Sequence, residues 1–113
     1  MKLDLFYLPT SNLPATLALY LDHLGFTELW NENDENVGLA SPDGTVSIMI
    51  DTDADASAGP MLSVDRVADF HSNLPDGLEV VLAPVEIPGG HFATYRDAGG
   101  ATLYVIDQST DEV

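Results

Sequence analysis

The strongest constraint in the sequence is a β-hairpin pattern that occurs twice. Residues 87–108 read IPGGHFATYRDAGGATLYVIDQ, two runs of alternating aromatic, β-branched and small residues joined by Asp97-Ala98-Gly99-Gly100. Turn residues between such runs are typical of a hairpin. Residues 37–51 repeat the pattern at a constant offset, which superimposes Gly44 on Gly100, Ile48 on Tyr104, Ile50 on Ile106 and Asp51 on Asp107. The repeat predicts a duplicated structural unit.

Length and composition indicate one cytoplasmic domain. A chain of 113 residues can bury enough of its surface to form a packed core. It contains no cysteine, which excludes disulfides, thiolate nucleophiles and cysteine-based zinc sites. The longest apolar run, 13–21, is too short to span a bilayer, and Asp4 interrupts the apolar core that a signal peptide requires. We therefore expect a location in the cytoplasm.

The charge balance is strongly acidic. Nineteen Asp and Glu residues face only three bases, Lys2, Arg66 and Arg96, which gives a formal net charge of -16. Such a field repels phosphate backbones and anionic lipids, so we expect neither nucleic acid nor membrane as a partner. Two explanations stay open at this point, a solubility or salt-adapted surface and the recruitment of a cationic ligand.

The first half of the chain reads as strand, helix and three strands. Residues 3–9 form a compact apolar run, typical of a strand buried on both faces. Ser11 or Asn12 can cap the following helix, Pro14 suits its first turn, and Gly25 is suited to its end. A strand over 26–31 follows, and the 37–51 hairpin turns around Pro42-Asp43-Gly44.

The second half repeats this plan after an acidic linker over 51–59. A strand over 60–64 leads to a helix that Asp65 can cap, and Pro84 suggests an edge or a bulge in the strand 78–87. One helical face carries Val67, Phe70, His71 and Leu74. The predicted fold is α+β, one domain over 1–113 composed of two βαβββ modules, 1–56 and 57–113.

The order and spacing of several short motifs resemble those of the vicinal oxygen chelate superfamily. The motifs are Asn12-Leu13, Leu19-Tyr20, Leu24-Gly25-Phe26, Pro88-Gly89-Gly90-His91-Phe92 and Arg96-Asp97 before Gly100. This superfamily includes glyoxalase I, bleomycin-resistance proteins and extradiol dioxygenases. The resemblance implies curved mixed sheets around a cleft, helices on the outside and a homodimer.

The resemblance also implies where a metal would bind. Metal-using members place His, Gln or Glu at four inward strand positions, and these fall on Leu5, Ile48, Gly59 and Tyr104. None of the four supplies a carboxylate, an amide oxygen or an imidazole, and a divalent cation needs several such donors together. We therefore predict no metal and no cofactor.

Strand alternation then predicts the residues that face the cleft. If Leu5, Ile48 and Tyr104 point inward, Tyr7 and Ile50 do so too, as do Thr102 and Ile106. A turn at 97–100 would pair Arg96 with Thr102, Thr94 with Tyr104 and Phe92 with Ile106. The predicted ligand-binding residues are Tyr7, Trp30, Ile48, Ile50, Phe92, Arg96, Thr102 and Tyr104. The alternatives are a cleft filled by its own side chains, and an Arg96 paired with Asp97, Asp107 or another acid.

The three histidines do not suggest a metal or catalytic set. His23 ends the first helix, His71 lies on an apolar helical face and His91 begins a strand. His71 is expected to be a hydrogen-bonded core residue. We assign no catalytic residue and predict a metal-free protein that binds a small organic molecule, with cationic drugs or metabolites favoured by the net charge. The alternative is a metal-dependent lyase, isomerase or dioxygenase of the same superfamily.

Overall fold

The structure, a computed structural model, describes residues 1–53 and 55–109, so Ala54 of the predicted linker lies outside it. The first half contains β1 (Lys2–Pro9), α1 (Leu13–Leu17) continuing into a π-helix (Ala18–His23), β2 (Thr27–Glu32), β3 (Asn36–Ala40) and β4 (Ser47–Asp51). The second half contains β5 (Gly59–Ser63), α2 (Val67–Ser72), β6 (Glu79–Ile87), β7 (Gly90–Arg96) and β8 (Thr102–Asp107). The predicted α+β fold with two βαβββ segments is confirmed.

The chain falls into two compact units. The first unit is Asp4–Ala58, and the second unit comprises Met1–Leu3 together with the residues from Gly59 onward. No helix in the described part of the chain is long and apolar enough to cross a membrane.

In the first unit the strand order is β2-β3-β4-β1, with β1 parallel to β4 and the other pairs antiparallel. The helix begins where predicted, because Asn12 Oδ1 accepts a hydrogen bond of 3.1 Å from the Ala15 N–H. The chain leaves it at Gly25, whose φ of 79° favours glycine. One prediction is wrong: β1 is not buried on both faces, since Leu3 is 66% exposed. The core beneath the helix is formed by Leu13, Val37, Leu39, Ile48 and Ile50.

In the second unit the strand order is β5-β8-β7-β6, which leaves β6 at an edge. The core beneath α2 is formed by Val67, Ala93, Tyr95 and Val105. The predicted cap of α2 by Asp65 is wrong, because Arg66 occupies the capping position without a side-chain bond and Asp107 Oδ2 accepts the Val67 N–H instead. The predicted irregularity near Pro84 is confirmed by shifts in the β6–β7 register on either side of Leu82.

The two hairpins differ in length by one residue. In the first, the β3–β4 ladder ends at the pair Ala40 and Ser47, whereas the β7–β8 ladder ends at Arg96 and Thr102. Six residues therefore connect the first pair and five connect the second. Because side chains alternate between faces, one extra residue reverses the face of every position that follows.

This extra residue overturns part of the predicted superposition. Ile48 and Ile50 point toward α1, whereas Tyr104 and Ile106 lie on the sheet face away from α2, since Leu103 and Val105 pack against that helix. The position in β4 that corresponds to Tyr104 is Met49.

Candidate functional site

The candidate site in the second unit is the sheet face that points away from α2. We call this face the aromatic wall. Ala93, Tyr95 and Val105 point toward the helix, so the alternate residues of β7 and β8 share the opposite face. The three predicted cross-strand pairs are confirmed, and they place four of the predicted ligand-binding residues on this wall: Phe92, Arg96, Thr102 and Tyr104. The wall consists of Leu82 and Val85 from β6, Phe92, Thr94 and Arg96 from β7, and Thr102, Tyr104 and Ile106 from β8.

Two aromatic rings form the centre of the wall. Phe92 and Tyr104 stack with their ring centroids 5.7 Å apart and an angle of 21° between the ring planes. Tyr104 is only 5% exposed, while Phe92 is partly exposed. Of the two rings, Phe92 is therefore the one that a bound molecule can reach, and Tyr104 packs against it.

The outer part of the wall is apolar and open. Leu82, 40% exposed, pairs with Thr94, and Val85, 39% exposed, pairs with Phe92. Sequence reasoning missed both residues, because the irregularities around Pro84 interrupt the period of two that identifies a strand face. Together with Phe92 they form an exposed apolar patch, a feature that marks contact sites when it is continuous.

Arg96 stands at one end of the wall. It is exposed and is paired with Thr102 on one side and Glu79 on the other. Among the side chains that the structure describes, no carboxylate lies within 4.0 Å of its guanidinium. The alternative of a structural ion pair with Asp97 or Asp107 is therefore wrong.

Each of those two carboxylates is engaged elsewhere. Asp97 Oδ1 accepts hydrogen bonds of 2.9 Å from the N–H groups of Gly99 and Ala101, which closes the hairpin turn. Asp107 accepts hydrogen bonds from the backbone N–H groups of Val67 and His91. Burial raises the pKa of Asp107, but these bonds and those from Ser109 outweigh that effect and lower it to about 2.

In the first unit, the face away from α1 carries Trp30. Its ring covers Gly38 so closely that a side chain at position 38 would collide with it. The indole Nε1–H donates to Asn36 Oδ1 at 2.8 Å, and Asn36 Nδ2 donates to Asp51 Oδ2 at 3.1 Å. Tyr7, buried on the same face, pairs with Met49. Tyr7 is thus on the same face as Leu5, as strand alternation predicts.

Ile48 and Ile50 are not on that face. Both are buried against α1, in the core with Leu13 and Leu39, so the prediction that they face the cleft is wrong. The physical reason is the extra residue in the first hairpin, which shifts β4 by one position.

A cavity of about 400 Å³ lies at the end of β2 and β4 in the first unit. All of its lining residues are polar: Glu32, Asn33, Glu35, Asn36, Asp51, Thr52 and Asp53. Four of them, Glu32, Glu35, Asp51 and Asp53, are carboxylates. The local charge is strongly negative. Neither Trp30 nor any other aromatic residue lines it, which distinguishes it from the aromatic wall.

The histidines lie apart from one another. His71 Nδ1 is 2.8 Å from the hydroxyl of Tyr95, a buried residue whose pKa is raised by burial. The predicted hydrogen bond of His71 is confirmed, but the side chain is only partly buried. His91 lies with Nδ1 3.5 Å from Asp107 Oδ1, and His23 ends the π-helix. In residues 1–53 and 55–109, no three His, Cys, Asp or Glu side chains are grouped as a metal site would require.

The four positions at which the superfamily implies metal ligands do not fit a divalent ion. Leu5 has a hydrocarbon side chain, and Met49, which the corrected register substitutes for Ile48, offers only a thioether. A side chain at Gly59 would collide with the carbonyl oxygen of Thr102. Tyr104 offers a phenol, which is not among the usual ligands of such ions.

Comparison with solved structures identifies the fold. A benzaldehyde dehydrogenase from Legionella pneumophila, described as NAD-dependent, superimposes with a TM-score of 0.76 at 12% identity, covering 91% of this chain and 96% of the other. A glyoxalase/bleomycin resistance protein/dioxygenase superfamily member from Vibrio splendidus 12B01 gives 0.63 at 14% identity, with coverage of 91% and 96%. Methylmalonyl-CoA epimerase from Mycobacterium tuberculosis gives 0.66 at 17% identity, with coverage of 93% and 86%.

These similarities concern the fold alone, because all three identities are low. No protein-family model and no curated protein matches the sequence. The chain has the vicinal oxygen chelate fold that its motifs predict.

Proposed function

Starting from the vicinal oxygen chelate fold, we propose that the protein binds a small, planar organic molecule on the aromatic wall, without a metal and without transforming it. The observation that carries this proposal is the exposed apolar patch formed by Leu82, Val85 and Phe92 on the face away from α2. Adjoining apolar side chains at the surface gain free energy when a bound molecule covers them.

The size of the patch sets the expected affinity. Covering about 150 Å² of apolar surface contributes roughly 4 kcal/mol at 25 cal/mol per Å². Association itself costs at least about that much in lost translational and rotational freedom. Apolar contact alone therefore supports only weak binding, and a useful affinity requires polar contacts in addition.

The charge preference of the wall differs from that of the molecule as a whole. The net charge of -16 and the acidic cavity of the first unit favour the approach of cations. On the wall itself, however, Arg96 supplies a positive charge that is not ion-paired with any described carboxylate, although Glu79 lies opposite it on β6. Long-range attraction governs the rate at which a ligand associates, whereas the groups in direct contact with it govern how long it stays bound. The surroundings of the wall therefore favour a cationic ligand, but the residues that line the wall do not.

The alternative function is a metal-dependent lyase, isomerase or dioxygenase. It requires three or four oxygen or imidazole donors, and the residues at the four implied positions do not supply them. We also expect a cytoplasmic homodimer, as the sequence and the resemblance predict. Light scattering of the purified protein measures the oligomeric state directly.

The proposal is tested with uncharged two-ring aromatics such as 2-naphthamide, using ligand-observed NMR. Leu82→Ala, on the wall, should weaken binding at least about threefold, the effect of losing contact with about one methylene-sized group. Leu24→Ala is the matched control, because Leu24 is 47% exposed and lies in the first unit. Absence of binding, or equal binding by both variants and wild type, would contradict the proposal.

A further inference from the structure

We propose that the aromatic wall selects molecules with a negatively charged end, an aromatic or planar carboxylic acid whose carboxylate is held by Arg96. This inference rests on the proposed function and adds the chemical class of the ligand. It runs against the preference for cations that the net charge suggests.

Within the part of the chain that the structure describes, Arg96, like Lys2 and Arg66, has no carboxylate partner. Nineteen acids and three bases share this chain, so each base has many potential partners. The described side chains nevertheless place no carboxylate within 4.0 Å of the Arg96 guanidinium. The adjacent Asp97 is committed to the turn through Gly99 and Ala101. A guanidinium presents a planar fork of donors that matches a carboxylate, and here that fork is available to a bound molecule.

Arg96 lies on the same sheet face as the apolar patch, within reach of a molecule bound there. Arg96 and Thr102 form the first row of the wall, Leu82, Thr94 and Tyr104 form the second, and Val85, Phe92 and Ile106 form the third. Successive rows are two residues apart along a strand, or about 7 Å. A two-ring aromatic acid is long enough to contact Arg96 with its carboxylate while its rings cover Leu82 in the second row. The Thr102 hydroxyl, beside Arg96, can donate to the second carboxylate oxygen.

Glu79 is the intramolecular competitor. It lies opposite Arg96 on β6, and cross-strand neighbours of opposite charge can pair. If Glu79 served only to hold Arg96, the two would form an ion pair in the structure, and they do not. Replacing Glu79 with Gln therefore removes a local negative charge from the site, and binding of an acid should become tighter.

The experiment compares 2-naphthoate with its neutral isostere 2-naphthamide by calorimetry or ligand-observed NMR. Wild type should bind the acid about tenfold more tightly than the amide, the factor that one charge-assisted hydrogen bond supplies. Arg96→Gln should abolish this preference, so that the acid and the amide bind with similar affinities. Arg66→Gln is the matched control, because it removes the same charge from an exposed arginine that makes no side-chain capping bond.

The outcomes separate the inference from the proposed function. If the acid and the amide bind equally and Leu82→Ala weakens both, the wall binds small molecules but Arg96 does not select acids, and the inference is overturned. If Arg66→Gln lowers the preference as much as Arg96→Gln, the effect is one of net charge and the inference is again overturned. If neither compound binds, both the proposed function and the inference fail. Tighter binding of the acid to Glu79→Gln, together with loss of preference in Arg96→Gln, establishes the inference.

Discussion

The carboxylate of Asp107 accepts a hydrogen bond of 2.6 Å from the backbone N–H of Val67, 40 residues earlier in the chain. Asp107 ends β8 and Val67 begins α2, so this bond joins the last strand to the first turn of the helix. The same carboxylate accepts the backbone N–H of His91 at 3.0 Å and both the N–H and the hydroxyl of Ser109. One side chain thus satisfies backbone groups from three separate segments.

Asp107→Asn should therefore destabilise the protein strongly. Asp107 is 2% exposed, and an amide in its place turns one acceptor oxygen into a donor that faces other donors. We expect a loss of about 3 kcal/mol in the free energy of unfolding, measured by chemical denaturation. Asp76→Asn, an exposed position with the same change in charge, should change it by less than about 0.5 kcal/mol. Equal stability of the two variants would contradict this assignment.

The lowered pKa of Asp107 predicts that the stability of the protein falls at acidic pH. The pKa of Asp107 is about 2 in the folded protein and 3.8 ordinarily, because the hydrogen bonds from Val67, Ser109 and His91 outweigh the effect of burial. Its stabilising contribution is fully present above pH 3.8 and is lost as the pH falls through 2.

This contribution amounts to roughly 2 kcal/mol at neutral pH. Denaturation of wild type and Asp107→Asn between pH 2 and pH 6 isolates it, since the other carboxylates titrate in both proteins. The stability difference between them should shrink toward low pH. If the difference in the free energy of unfolding between the two proteins stays constant from pH 2 to pH 6, the titration of Asp107 does not contribute to stability.

The packing of Trp30 on Gly38 predicts a spectroscopic effect. A methyl group at position 38 collides with the indole ring, so Gly38→Ala should displace Trp30 from the sheet. Because Trp30 is the sole tryptophan, its emission should move to longer wavelength, with a loss of roughly 1–3 kcal/mol typical of overpacking. Gly99→Ala, where the nearest atom lies 3.4 Å from an added methyl, should leave the emission unchanged. An unchanged spectrum in Gly38→Ala would disprove the contact.

The reversed faces of β4 predict different costs for neighbouring substitutions. Ile50 is fully buried against α1, so Ile50→Ala should cost about 2–5 kcal/mol. Met49, on the opposite face, is only partly buried, and Met49→Ala should cost distinctly less. Thermal and chemical unfolding of both variants measures this. A larger loss of stability in Met49→Ala than in Ile50→Ala would contradict the observed register and favour the one that the sequence repeat suggests.

Metal ions should not stabilise the protein specifically. A metal at about a hundred times its dissociation constant adds roughly 2.7 kcal/mol to the stability. This corresponds to a rise in Tm on the order of ten degrees. Chelator-treated protein with Mg²⁺, Mn²⁺, Fe²⁺, Co²⁺, Ni²⁺ or Zn²⁺ should show no such rise for any single ion. A large rise with one transition metal would favour the alternative of a metalloenzyme.

Much of the fold could be predicted because local signals agree with the tertiary structure. Asn12 caps the first helix, Gly25 follows it with a positive φ, and Pro84 marks the irregular edge strand. The pairing of Arg96 with Thr102 follows from the position of the turn. These features depend on a few neighbouring residues, which a sequence shows directly.

The errors have a different origin, because each depends on contacts between distant segments or on a single insertion. One additional residue after Gly44 reverses the faces of Ile48 and Ile50, although the two hairpins remain similar in sequence. The partner of the α2 N-terminus is Asp107 and not the adjacent Asp65. Leu82 and Val85 were missed because a strand with two register shifts has no regular period.

The most direct test of the central proposal is to map a bound probe by two-dimensional ¹H–¹⁵N NMR of the wild-type protein titrated with 2-naphthoate. Shift changes should cluster on the aromatic wall, at Leu82, Phe92, Thr94, Arg96 and Thr102. Changes confined to the first unit, around Trp30 and the acidic cavity, or no changes at all, would contradict it.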